Sequence, residues 1–221
     1  MLDVRCSAAG ATKPRFPRAT ALAVTRELLA RIDGTTDRLL VAGSLRRRKP
    51  EVGDVEFVII PRVEERPDPG DLFGAKRPFD LAACAIEEML RDGTLRPRPK
   101  CDETLTWGEQ IKLATHVAIG LGIDFFLTDP ARFWNLVVCR TGPKELNIEI
   151  CNRARTMGWQ WKPYGEGFLR ESPIHATPAR PPEIRTMHSE EEVFRFVGLP
   201  YLQPADRTLE NVRRAIHASA D

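Results

Sequence analysis

The chain has 221 residues, enough for one large domain or two small ones around a real core. Hydrophobic residues at 42% and charged residues at 29% fit an ordinary globular protein, and a net charge of only +2 excludes a uniformly basic nucleic-acid binder. No apolar run approaches the length of a membrane span and no charged-then-apolar signal opens the chain, so the sequence reads as intracellular and not secreted.

The five cysteines, at 6, 84, 101, 139 and 151, are odd in number and form no CxxC pair. Reduced, mostly buried thiols are expected rather than a disulfide framework or a zinc knuckle. Basic surface must be local: Arg46 to Lys49, Lys76-Arg77, Arg96 to Lys100, and Arg153 with Arg155.

In chain order, residues 1–17 read as an irregular polar segment. "RATALAVTRELLARID", 18–33, has helical apolar spacing and stops at Gly34. "RLLVAG" reads as a strand running into Gly43-Ser44, with Ser44 as the N-cap of a brief basic helix. "DVEFVII" is the next strand, closed by Pro61, and the Pro/Gly-rich stretch 61–78 reads as a loop. "FDLAACAIEEMLRDG" is a second amphipathic helix, followed by strand-like "TLRPRP", "EQIKLATHVAI" and "GIDFFLTD". "DPARFWNLVVCRTG" and "PKELNIEICNRARTMG" are helices with proline at the front and glycine at the back. "WQWKP" and "EGFLR" suggest a hairpin, a proline-rich stretch runs to 182, and Ser189-x-x-Glu192 marks a capping box before "VFRFVGL". A polar tail helix over 208–219 closes the chain.

Two acids stand out. Side chains two apart on a strand share a face, so Asp54 and Glu56 project together while Val55 and Phe57 face a core. Asp124 is a third carboxylate in an apolar strand. Three such groups on neighbouring strands make an oxygen-ligand site suited to Mg²⁺ or Mn²⁺. Spacing alone is equally compatible with solvent-facing acids on a one-sided sheet. Gly43-Ser44 shifts that balance. A tight turn into a helix N-terminus presents N–H groups and a hydroxyl to phosphate, Arg46 to Arg48 follow, and the paired acids come at fixed distance.

"GSLRRRKPEVGDVEF" resembles the Gly-Ser-x-Arg-Arg to Gly-Asp-x-Asp stretch of the family X DNA polymerases, in the polymerase-beta-like nucleotidyltransferase superfamily. "GIDFFLTDPARFWNLVVCRTG", "PKELNIEICNRARTMGWQW" and "SEEEVFRFVGLPYLQPADR" resemble later blocks of the same family in the same order, so the likeness covers about residues 35–207. The resemblance implies an α+β fold: a nucleotidyltransferase palm at 18–128, with a mixed or antiparallel sheet flanked by helices. A small α+β nucleotide-selection subdomain would follow at 129–207, then the tail at 208–221. It implies template-directed, gap-filling DNA synthesis; the alternatives are nucleotidyl transfer within the same superfamily to another acceptor (an RNA end, a protein or a small molecule), or nucleic-acid binding without catalysis. Asp54, Glu56 and Asp124 would bind two Mg²⁺ or Mn²⁺ ions, and Asp124 would help take the primer proton. Gly43, Ser44, Arg47 and Gly53 would hold the triphosphate, Thr141-Gly142 would turn under the sugar, and Asn147 would contact the base edge. The partners would be a dNTP and primer-template or gapped DNA, in the cytoplasm near the nucleoid or in a virus-infected cell.

The chain also departs from the family pattern. Glu56 stands where relatives usually carry Asp, and Cys139-Arg140 replaces an aromatic pair that screens the sugar 2′ position. Only about 40 residues precede Gly43. The expectation is a minimal polymerase without lyase and helix-hairpin-helix modules, with an accessory protein as a candidate substitute. Arg96, Arg98 and Lys100 alternate along one strand and would line a DNA channel, together with Arg153, or else face solvent. Trp159 and Trp161 share a face and would pack in a core or stack on a base.

Overall fold

The computed structural model describes residues 14–68, 70, 74–99, 103–171 and 181–218. A short strand, β1 (Phe16–Pro17), leads into helix α1 (Arg18–Ile32), which buries Ala21, Val24, Leu28 and Ile32 along one stripe. Strand β2 (Thr36–Val41) runs into the short helix α2 (Gly43–Arg46). Strand β3 (Glu51–Val52) then pairs with β1, and β4 (Asp54–Pro61) carries the paired acids.

The expected loop over 61–78 is instead largely an antiparallel ribbon of β5 (Val63–Pro67) and β6 (Lys76–Asp80). Its prolines hid it from a reading by composition. A two-stranded ribbon is all edge, so Pro67 and Pro78 can sit where no N–H is needed. Arg66 lies over the Phe79 ring at 3.8 Å and bonds Glu64 at 2.8 Å, giving the ribbon its own cross-strand packing.

Asp80 caps helix α3 (Leu81–Arg91) by accepting from the Ala83 N–H at 2.7 Å. Strands β7 (Leu95–Pro97), β8 (Ile111–His116) and β9 (Gly122–Leu127) complete a five-stranded sheet of order β2-β4-β9-β8-β7. The pair β4 and β9 is parallel and the rest antiparallel, the mixed sheet expected. Val55, Phe57, Ile59, Ile123 and Phe125 point to the face covered by α1 and α3.

Helix α4 (Phe133–Thr141) covers part of the other face, packing Phe133, Leu136 and Val137 on Val58, Ile60 and Phe126. It starts later than Asp129-Pro130 suggested, because a turn closed by Asp129 bonding the Arg132 N–H precedes it. Glu56 and Asp124 share the face of Val58 and Phe126, where that helical cover gives out.

Helix α5 (Lys144–Thr156) and a three-stranded sheet follow: β10 (Gln160–Lys162), β11 (Gly167–Arg170) and β12 (Glu183–Arg185). The third strand, just past the prolines, extends the expected hairpin. Helix α6 (Glu190–Phe196) is capped by Ser189, while Glu192 reaches back to the His188 N–H rather than to the cap residue itself. Helix α7 (Leu209–Ala218) is amphipathic and not merely polar: Val212 is buried in a core with Leu146, Ile150, Trp159, Phe168 and Phe194. Trp159 and Trp161 belong to this core, and Trp161 donates to Asn135 at 3.0 Å. Packing, not base stacking, is therefore their role. Among the described residues no helix is long and apolar enough to cross a membrane.

One buried ionic cluster ties α2 to the C-terminal helices. Glu190 accepts from Arg46 at 2.6 and 2.9 Å and from Arg207 at 3.0 Å; Arg46 also bonds the Thr141 hydroxyl at 2.8 Å. Glu190 is 3% exposed and Arg207 1%. Arg46 follows the Gly43-Ser44 turn like the cations expected to face phosphate, but its guanidinium is committed to Glu190. Removing Glu190 would leave two guanidiniums facing each other without a counter-charge. Glu190→Ala should lose about 3–5 kcal/mol of unfolding free energy. Urea denaturation checks this: a midpoint close to wild type would show the cluster is not a structural lock.

Candidate active site

The parallel register of β4 and β9 sets Asp54 beside Gly122 and Glu56 beside Asp124. One carboxylate oxygen from each of Asp54, Glu56 and Asp124 lies within 4.8 Å of the others. Burial pushes the Glu56 carboxyl up to about 7, with Arg140 opposing and Asp54 and Asp124 adding to the rise. Like charges this close, at the margin of an apolar sheet face, need cations.

Two arginines provide them. Arg140 pairs with Glu56 Oε1, donates to the Tyr164 hydroxyl at 3.2 Å and lies over the Phe126 ring at 4.1 Å. Burial works against its charge, but Glu56 and Tyr164 outweigh it and raise its pKa above the ordinary arginine value. The sequence placed Arg140 near a sugar; the structure turns it onto the carboxylates. Arg98 pairs with Asp124 Oδ1.

Arg98 continues the register of Arg96 just past the end of β7, but its guanidinium is committed to Asp124 while Arg96 stays exposed. Lys100 lies outside the described residues. Arg153 bonds Glu149 at 2.7 Å and the Gly198 and Ile216 carbonyls at 3.1 and 3.2 Å, a clamp joining α5 to α7 rather than a projecting DNA contact.

The Gly43 turn faces the acids. Its φ of 67° is left-handed, and an added Cβ would stand 2.6 Å from Glu56 Oε2, so glycine is required twice over. That conformation moves the helix cap to Ala42, which has no side-chain cap bond, and sets Ser44 inside α2 instead of at its cap. Its hydroxyl is thus not used for capping. Arg15, Gly43, Ser44, Arg47, Gly53 and Arg140 line one cleft with Asp54 and Glu56.

Arg47 Nη1 donates to the Thr141 carbonyl, while its Nε is buried without a partner. Thr141 is wholly buried, and Gly142 follows at φ 63° before α5. Asn147 donates to the Cys139 carbonyl at 2.8 Å, and its buried Oδ1 has no partner. It is therefore turned to the end of α4 and lies outside the cleft lining.

The donor set fits a divalent ion. All three groups are hard oxygens, and Glu56 Oε2 is buried without a hydrogen-bond partner. Arg15 in the cleft, Arg98 on Asp124 and Glu190 on Arg46 escaped the sequence reading. Each pairing joins residues far apart in the chain, which no local spacing reports.

Residues 136–208 match the family model described as DNA polymerase beta thumb. The DNA polymerase/3'-5' exonuclease PolX of Bacillus subtilis (strain 168) is 24% identical over 202 residues, 90% of this chain. The chain spans only 30% of the length of that curated relative. The crystal structure of Leishmania infantum polymerase beta in a ternary P/T complex shares the fold. The TM-score is 0.62 at 17% identity, over 88% of this chain and 77% of that one. In sequence and fold the chain is family X polymerase-like.

The raised Glu56 pKa has a definite sign in stability. Between its unfolded value of 4.5 and about 7, the folded protein binds more of this proton than the unfolded chain. Stability from this group is therefore present at low pH and declines as pH rises through that window. Without metal, in EDTA, Glu56→Gln should flatten the decline, so the variant gains on wild type from pH 5 to pH 8. Thermal unfolding across that range checks it; a pH-independent difference would contradict the raised value.

Proposed function

We propose that this family X polymerase-like protein adds a deoxynucleotide from a dNTP to the 3′-hydroxyl of a DNA primer paired to template, as in gap filling. The observation that carries the reading is the three-carboxylate cluster facing the Gly43 turn across one cleft lined by Arg15 and Arg47. Asp54, Glu56 and Asp124 would hold two Mg²⁺ or Mn²⁺ ions, which when bound supply Lewis-acid activation of the hydroxyl and neutralise charge on the departing phosphates.

The chain's own residues do the rest. The N–H groups of the Gly43 turn and the Ser44 hydroxyl bind the terminal phosphates, as helix N-termini and turn nests do. Arg47, with its unpartnered Nε, and Arg15 offset the triphosphate charge. Arg140 leaves Glu56 as the site fills. The primer oxygen attacks the α-phosphorus, its proton passes to Asp124, the bond to the bridging oxygen breaks, and pyrophosphate leaves. The Thr141-Gly142 turn, held by Arg46 and Arg47, would pass under the sugar.

Single-nucleotide insertion on primed, gapped and single-stranded DNA, with each dNTP and with Mg²⁺ or EDTA, tests the reading. Extension of the primed and gapped substrates, abolished by EDTA, is expected. Asp124→Asn should lower turnover at least about a hundredfold, since several kcal/mol of transition-state stabilisation is lost. Near-normal extension by that variant would sink the assignment.

A further inference from the structure

We propose that Arg98 is a positioning residue built into the carboxylate cluster. It holds Asp124 as a resident counter-ion and must yield to a divalent ion, so it lowers the cluster's metal affinity while stabilising the metal-free protein. The proposal rests on the reading that this cluster binds divalent metal.

Arg98 enters from the far side of the sheet. Its backbone N–H donates to the Leu113 carbonyl on β8 at 2.8 Å, and Leu113 pairs in register with Asp124 on β9. Arg98, Leu113 and Asp124 therefore lie in one cross-strand row, and the arginine must span two strand spacings, roughly 10 Å, to reach the acid. Only the longest side chains do so. The ion pair is three-quarters covered on the arginine side, at 24% exposure, and Asp124 is at 8%.

Gly122 shows that this crossing is built in. It opens the fully buried strand β9, two residues before Asp124 on the same face, where a glycine offers no side chain to pack. Its φ is not in the left-handed range, so the backbone does not demand glycine. A Cβ there would run into Arg98 Nη1 and lie 3.5 Å from the Asp54 Cβ. Space is the reason for the glycine: the bare strand lets the guanidinium lie over β9 and grip the carboxylate. A guanidinium on Asp124 Oδ1 and a divalent ion on the same carboxylate compete for its negative charge and repel each other.

The test is Mn²⁺ binding to the full chain, read by electron paramagnetic resonance of the free ion, with thermal unfolding in EDTA alongside. Arg98→Ala should bind Mn²⁺ at least about fivefold more tightly and melt lower without metal. Gly122→Ala, which leaves Arg98 in the chain but takes its space, should do the same. The double variant should match Arg98→Ala alone, because the added methyl then meets only the Asp54 Cβ, at ordinary van der Waals distance. Should Arg98→Ala not fold, Arg98→Gln keeps most of the stem and carries the same expectation. Unchanged or weaker Mn²⁺ affinity on removing Arg98, or full additivity of the two changes, overturns the proposal while the metal reading stands. Failure of wild type and every variant to bind Mn²⁺ overturns both.

Discussion

Three carboxylates held within 4.8 Å at the margin of an apolar sheet repel one another, and water is only partly there to screen them. Everything around the cleft answers that one constraint. The parallel pairing of β4 with β9 creates it, by setting Glu56 directly beside Asp124. Arg140 from α4 and Arg98 from beyond β7 relieve it, each paired with a different acid. Two glycines make room: Gly43 beneath Glu56 Oε2 and Gly122 beneath the Arg98 guanidinium. Where helical cover ends, an apolar face becomes a site that draws cations.

The same constraint separates two arginines that look alike in the chain. Arg46 and Arg47 are neighbours, yet Arg46 is locked to buried Glu190 while Arg47 lines the cleft. Arg46 is thus part of the frame and Arg47 part of the site. Both touch Thr141, through its hydroxyl and its carbonyl respectively. The turn between α4 and α5 is in this way tied to the turn that faces the acids. A shift of the C-terminal helices, carried through Glu190, would be felt at Gly43 through α2 without any ligand contact of their own.

Likeness in fold to a polymerase beta structure and in sequence to a PolX protein agrees with this layout. The chain also has its own features. Glu56 is longer than the Asp of the family pattern, and the extra methylene lets its carboxylate fold back against Gly43. Arg140 occupies a position where the pattern has an aromatic ring, and it packs on the Phe126 ring while reaching Glu56. The arginine thus keeps contact with an aromatic face and adds a charge to the site.

The helices α1, α3, α5 and α6 and the main strands were legible because period and punctuation are local: apolar spacing, caps and glycine stops lie within a few residues of each other. So were Asp54, Glu56 and Asp124, since a charge inside an apolar strand stands out wherever the strand goes. The β5–β6 ribbon was not, because proline density reads as loop unless one knows that both strands are edges. Nor could the acidic partners of Arg46, Arg98 and Arg140 be read, for they lie 144, 26 and 84 residues away and are chosen by which elements pack together. Sequence by itself determined which side chains carry charge and on which face of their own element they stand. Tertiary structure alone decided which opposite charge each one meets, because a guanidinium's partner is set by distance in space and by the gap a bare glycine leaves.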